Sequence, residues 1–253
     1  MTASVTLKGA GVRFDFDRQQ RVVTPGLARL RRRGRSAWGV HDVDVRIAAG
    51  EGVALVGPSG SGKTSLLRLL AGILPCDAGS VTIEGRVGSL LAVEGGLLGP
   101  LTGRENALTL SVLAGLDRAR AQAELDGLRE RSRLGDAFER PVASYSEGMR
   151  ARLGFSIASA ARPDVLLLDE VFEALDHEYR AVVEEYTQEL MGRGGVVVAA
   201  GHDHDALERI CGRALAMRDG EVVDDGPAAE VVAGYRRGGA TEDAPFAAGA
   251  RGA

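Results

Sequence analysis

Residues 57–64 read Gly57-Pro58-Ser59-Gly60-Ser61-Gly62-Lys63-Thr64, a complete G-x-x-x-x-G-K-T pattern between an apolar run at 53–56 and a helix-like run at 65–72. A strand, a glycine-rich turn and a helix in that order constrain the fold more than any other feature, because the pattern cradles phosphate only in that context. Backbone N–H groups must close around phosphate oxygens with no Cβ in the way, and some positions need positive φ, hence the glycines. Lys63 then supplies charge to the outer phosphates, and Thr64 offers a hydroxyl to magnesium. Lys and Arg together number 31, yet only Lys8 and Lys63 are lysines. A compact ammonium stands where the planar fork of arginine is no substitute.

At 253 residues the chain can hold one large α/β domain or two small ones. No apolar stretch approaches the roughly 18–20 residues of a spanning helix; the best runs, 165–168 and 196–200, have buried-strand length. Residues 1–8 lack the charged start and apolar centre of a signal peptide, so the expectation is a chain that stays in the cytoplasm. A net charge of −4 gives no general attraction to nucleic acid. Cys76 and Cys211 stand far apart without a C-x-x-C partner, which predicts packed, reduced thiols and neither a zinc site nor a disulfide.

Along the chain, 5–7 and 11–16 read as short strands. They are followed by a polar insertion at 17–37 carrying Arg29, Arg31, Arg32, Arg33 and Arg35, either a solvated face or a contact with a membrane partner or anionic lipid. Residues 43–47 alternate as a half-exposed strand, and 81–83 and 87–91 are strand-like around Gly85. Thr102 with Glu105 three residues later forms a capping box before 107–114, opening a helical subdomain at about 100–160. Residues 165–168 make a buried parallel strand ending in Asp169 and Glu170; 194–201 make another, ending near His202. A hairpin closes around Gly220, so the expected domain is 1–237, with a disordered Ala/Gly-rich tail at 238–253.

Two acids at the end of an apolar strand suit phosphoryl transfer, one in the metal shell and one polarising water, because parallel α/β sheets place ligands at that edge. The order of residues 57–64, Tyr145-Ser146-Glu147-Gly148-Met149, Asp169-Glu170, Ala174-Leu175-Asp176 and His202 resembles the ATP-binding subunits of ABC transporters over residues 1 to about 230. Ser146 and Gly148 match the family's L-S-G-G-Q signature, whereas Tyr145, Glu147 and Met149 depart from it. A capped helix starting at Ser144, with Glu147 as its box partner, is the structural reading of the same stretch.

The departures, together with Leu101-Thr102-Gly103-Arg104-Glu105-Asn106 after Gly95-Gly96, look like the subgroup that exports O-antigen, capsule, teichoic acid or galactan. Val93 stands where most members carry glutamine, and neighbouring Glu94 is a candidate for part of the metal or water contact. Phe14, or else Phe16 or Trp38, would stack on adenine; His204 has no matching role and is expected to be exposed.

The resemblance implies a P-loop ABC ATPase fold, with an N-terminal antiparallel β subdomain and an inserted α-helical subdomain. It implies ATP and Mg2+ as cofactors, and a homodimer sandwiching each ATP between the phosphate loop of one chain and the signature of the other. Lys63 and the amides of Gly60 to Ser65 would hold phosphates, Thr64 and, through water, Asp169 the metal. Glu170 would be the base, His202 would orient the γ-phosphate, and Asp176 would transmit closure. A membrane permease docked around 90–115 would place the chain at the cytoplasmic face of the cell membrane. Another cargo, or a soluble ABC ATPase acting on ribosomes or DNA, are the competing functions.

Overall fold

The computed structural model describes residues 3–16, 35–91 and 96–238. In chain order its elements are β1 (Ser4–Phe16), β2 (Arg35–Ile47), β3 (Gly52–Val56), α1 (Lys63–Leu70), β4 (Ala78–Glu84) and β5 (Val87–Leu90). Then come α2 (Gly103–Leu113), α3 (Arg118–Ala123), α4 (Leu125–Ser132), α5 (Glu147–Ala160), β6 (Val165–Asp169), α6 (Val171–Ala174) and α7 (His177–Gly192). The chain continues with β7 (Val196–Ala200), α8 (His204–Ile210), β8 (Arg213–Arg218), β9 (Glu221–Pro227) and α9 (Ala228–Gly238).

Every residue of β3, β6 and β7 is buried. Such unbroken apolar runs fit only a parallel sheet covered on both faces. They pair in the order β5-β6-β7-β3-β8-β9, all parallel except the closing β8–β9 pair. Successive residues of a strand point to opposite faces, and the core divides accordingly. Ala54 and Val56 join Phe155, Tyr179, Val183 and Leu207 on one face. Val53 and Leu55 join Leu66 and Leu67 of α1 and the inner residues of β1 and β2 on the other.

β2, β1 and β4 form a separate antiparallel sheet. The two strands expected at 5–7 and 11–16 are one strand, β1, whose register shifts between Leu7 and Ala10 where Gly9 has φ 53°. β2 begins at Arg35, so the last residues of the expected 17–37 insertion are strand rather than loop. The remaining arginines of the cluster, Glu94, and the tail from 239 lie outside the described residues. The strand-like runs around Gly85 belong to different sheets, β4 to the antiparallel one and β5 to the edge of the parallel one. At the β8–β9 hairpin Asp219 and Gly220 both have positive φ, the backbone that a tight two-residue turn demands.

The helical segment has its own core, in which Leu125, Leu128, Phe138 and Val142 meet Leu153 and Ile157 of α5. α5 therefore serves two cores, since its Ala151 and Phe155 face the sheet. The capping box exists: Glu105 N–H donates to Thr102 Oγ1, and Thr102 N–H to Glu105 Oε2. Buried Asn106 staples the preceding loop, accepting from Leu98 N–H at 2.7 Å and donating to the carbonyls of Leu98, Leu101 and Thr102.

Phe155 of α5 lies edge-on to Tyr179 at 6.3 Å and to Tyr186 at 5.6 Å between ring centres. Phe155→Ala is expected to lower the unfolding free energy by about 3–5 kcal/mol. A urea titration should show the midpoint falling; an unchanged midpoint would mean that α5 is not held by this face.

Candidate nucleotide-binding site

β3 ends at Val56 and α1 begins at Lys63, so the phosphate loop spans the gap at the C-terminal edge of the parallel sheet. Gly60 and Gly62 have φ of 81° and 107°, and a Cβ on Gly62 would fall 2.5 Å from the carbonyl oxygen of Gly39. β2 thus presses backbone to backbone on the loop, while Gly220 N–H donates to Ser61 O at 3.0 Å from the other side. The Lys63 ammonium, only 8% exposed, donates to the carbonyls of Gly57 at 2.7 Å and Pro58 at 3.0 Å. Burial lowers its pKa, and the charges of Asp169 and Glu170 partly offset that.

Neighbouring strands β6 and β7 carry the acids and the histidine to the same edge. Asp169 is 5% exposed, with Thr64 close enough to favour its charged form and its Oδ1 buried without a partner among the described residues. A threonine hydroxyl and an orphaned carboxylate oxygen are hard donors of the kind a small divalent cation takes. Glu170 follows in the left-handed region at φ 54°, with its N–H bonded to Ala200 O. A non-glycine residue held there is strained, a cost that recurs at functional turns. The turn leaves the Glu170 carboxylate exposed, 3.5 Å from His202 Nε2.

The other predicted segment opens α5. Ser146, not Ser144, is its N-cap, accepting from Met149 N–H. Ser146 and Glu147 are exposed, and Gly148 packs so close to α6 that a Cβ would meet Ala174 O at 2.9 Å. Tyr145 needs correction: at 4% exposed, its hydroxyl donates to Ala137 O at 2.6 Å inside the helical core. Its side chain anchors that core. Asp176 caps α7, accepting from Tyr179 N–H, and forms an ion pair with Arg152 of α5.

Phe14 is half-buried in the core with its ring against Gly39, whereas Trp38, beside His41, is 44% exposed. Phe16 ends β1. His204 is not freely exposed; its ring meets Tyr235 of α9 at 5.3 Å, and burial lowers its pKa. Of the thiols Cys211 is buried, while Cys76, expected to pack, is exposed and bonds to Ala78 O at 2.9 Å. Sequence reasoning missed Arg152, Arg180, Asp203 and Glu173, which knit the edge loops together. Arg152 lies three residues past Met149 on the signature helix, and that is the one spacing that could have flagged any of them.

The ABC transporter family profile matches residues 40–173. The chain belongs to that family. It is 36% identical over 205 residues to the O-antigen export system ATP-binding protein RfbB of Klebsiella pneumoniae, covering 81% of this chain and 83% of that protein. It is 34% identical over 201 residues to the teichoic acids export ATP-binding protein TagH of Listeria monocytogenes serotype 4b, covering 79% of this chain and 60% of the other. Both names fall in the subgroup that the departures in residues 145–149 suggested. The fold is that of a dimeric post-hydrolysis ATP-binding cassette solved with ADP and Pi, with a TM-score of 0.73 at 20% identity over 88% of this chain and 98% of that one.

Asp169 makes a stability test independent of turnover. Burial pushes its carboxyl above the ordinary value of 3.8; Glu170 adds to that, while Thr64, Arg68 and Lys63 counteract. The folded chain therefore keeps this proton to higher pH than the unfolded chain, so unfolding free energy falls as pH rises from 3.8 to the raised value, and stays reduced above it. Asp169→Asn should raise the melting temperature of the nucleotide-free protein at pH 7 and flatten its decline across that window. An Asn variant melting at or below the wild type would show that ionised Asp169 is not a net cost.

Proposed function

We propose that the chain is the ATP-hydrolysing subunit of an ABC exporter, driving a polysaccharide or lipid-linked glycan through a separate membrane permease. The observation that carries the hydrolytic part is the single sheet edge where the Lys63 loop, Asp169, Glu170 and His202 converge, with Glu170 and His202 3.5 Å apart. The cargo class rests on the export proteins to which the chain is similar and on the Ser146-Glu147-Gly148-Met149 signature.

In this reading the amides of residues 57–65 and the Lys63 ammonium take the phosphates, giving up the carbonyl contacts that Lys63 makes within the loop. Thr64, with Asp169 through water, holds Mg2+, which when bound neutralises developing charge on the phosphate oxygens. Glu94 remains a candidate for the same shell. Glu170 accepts the proton of the attacking water as the water oxygen bonds to the γ-phosphorus and the bond from that phosphorus to the β–γ bridging oxygen breaks, ADP being the leaving group. His202, held against Glu170, orients the γ-phosphate.

Ser146, its oxygen occupied by Met149 N–H, keeps its own O–H to offer to the γ-phosphate of a second copy, with the Gly148 amide beside it. Asp176 and Arg152 join that signature to the dimer seam. Trp38 offers an exposed aromatic face for adenine, whereas Phe14 is packed against the core beside Gly39. Leu98, Val112 and Leu113, the last 76% exposed, are apolar side chains left open to solvent within 90–115, the stretch that would meet a permease at the cytoplasmic face of the membrane.

Glu170→Gln is expected to cut steady-state hydrolysis by roughly 10²- to 10⁴-fold while trapping an ATP-bound dimer visible by size exclusion. Unchanged turnover would remove Glu170 from this role. Trp38 is the one tryptophan of the chain, so ATP should quench its fluorescence. Trp38→Ala should weaken ATP binding by about 1 kcal/mol; no quench, with unaltered affinity, would return the base to Phe14. For the cargo, deletion of the gene should deplete the cell-surface glycan, restored by the wild type but not by Glu170→Gln. Normal surface glycan in the deletion strain would rule that cargo out.

A further inference from the structure

His202 acts only if its backbone is held at the sheet edge, and the residue that holds it is not one of the expected site residues. Glu173, on α6 between Glu170 and Asp176, reaches across to the loop after β7. Its Oε1 accepts both from His202 N–H and, at 3.2 Å, from Asp203 N–H. Gly201 leaves the room this needs, since a Cβ there would lie 2.7 Å from the same carboxylate oxygen.

A second tether runs alongside. The Asp203 carboxylate caps α8 through Ala206 N–H and receives Arg180 Nη1 at 2.6 Å, while Arg180 Nε donates to Leu175 O at 2.9 Å. The stretch 173–175 is thus closed in a ring with 202–203. That stretch lies between Glu170 and Asp176, and Asp176 is paired with Arg152 of the signature helix.

Glu173 is exposed, and hydrogen bonds at an exposed carboxylate contribute little to global stability. Their effect is placement. We propose that Glu173 is a positioning residue for hydrolysis, fixing the His202 loop to the segment that ends at Asp176. His202 then comes into line with the γ-phosphate only when that segment is seated against the signature helix. The proposal rests on the role given to His202 above.

The test is a set of full-length variants assayed for ATP turnover, with melting temperature and ADP affinity as controls for folding. Glu173→Gln keeps an acceptor oxygen at the same reach and should retain turnover. Glu173→Asp keeps the charge but is one methylene too short, and Glu173→Ala has neither. Both should lose kcat by about 10- to 100-fold, the scale of a misplaced catalytic group, with KM for ATP little changed. ADP, which has no γ-phosphate, should bind all variants alike. In the His202→Ala background Glu173→Ala should cost nothing further, because the two act through one group.

Wild-type turnover in both Glu173→Ala and Glu173→Asp overturns the proposal, as does Glu173→Asp matching or exceeding Glu173→Gln, since charge would then be what counts. Additive losses in the double variant overturn it too. If His202→Ala alone hydrolyses ATP normally, the reading of His202 itself fails. If His202→Ala is inactive and Glu173→Ala is not, only the role of Glu173 fails.

Discussion

The whole arrangement depends on β3, β6 and β7 lying side by side, parallel and buried on both faces. Strands so enclosed can place polar chemistry only where they end, because a charge within them would lose its water without gaining partners. Gly57, Asp169 and Gly201 follow directly on the last apolar residue, or close the strand itself, so a single edge collects the phosphate loop, both acids and the histidine. The unsatisfied Asp169 Oδ1 and the strained Glu170 backbone are concentrated at that edge, where binding can compensate them.

α5 is the second organising element. Its sheet-facing residues and its Leu153 and Ile157 belong to different cores, so the signature at its N-terminus is fixed to the sheet and to the helical segment at once. Arg152, over the ring of Tyr179 and paired with Asp176, ties this helix to the loop following β6. Tyr145 anchors the other end of the signature by filling the helical core. A movement of the helical segment would therefore reach Asp176 through packed side chains and an ion pair.

Much of this was legible in the sequence. Alternation over 43–47 matches the buried and exposed faces of β2, the Thr102 box caps α2, and the apolar runs are the central strands. The placements that failed share a cause. One β strand reads as two in the sequence because the irregularity at Gly9 breaks the pattern and shifts the register without ending the strand. The α5 cap was put at Ser144 because Ser144 and Ser146 both suit that position, and only the backbone around Pro141 and Val142, a short 3-10 turn, decides between them. The expected exposures of His204 and Cys76 fail because burial depends on what another part of the chain brings: Tyr235 of α9 meets His204, and Cys76 stays exposed among the described residues.

The sequence alone determined the strand, loop and helix around Lys63, the acids that end β6, and the order of motifs that defines the family. All of these are local patterns, written in side-chain period and in the φ angles glycine permits. The tertiary structure decided that 81–83 and 87–90 enter different sheets, that Tyr145 turns inward, and that Glu173 meets residues 202 and 203. Those facts depend on contacts between elements: β1 and β6 each claim one of the two runs, the helical core takes Tyr145, and the approach of α6 to the loop after β7 brings Glu173 to 202 and 203, and no spacing within one element encodes them.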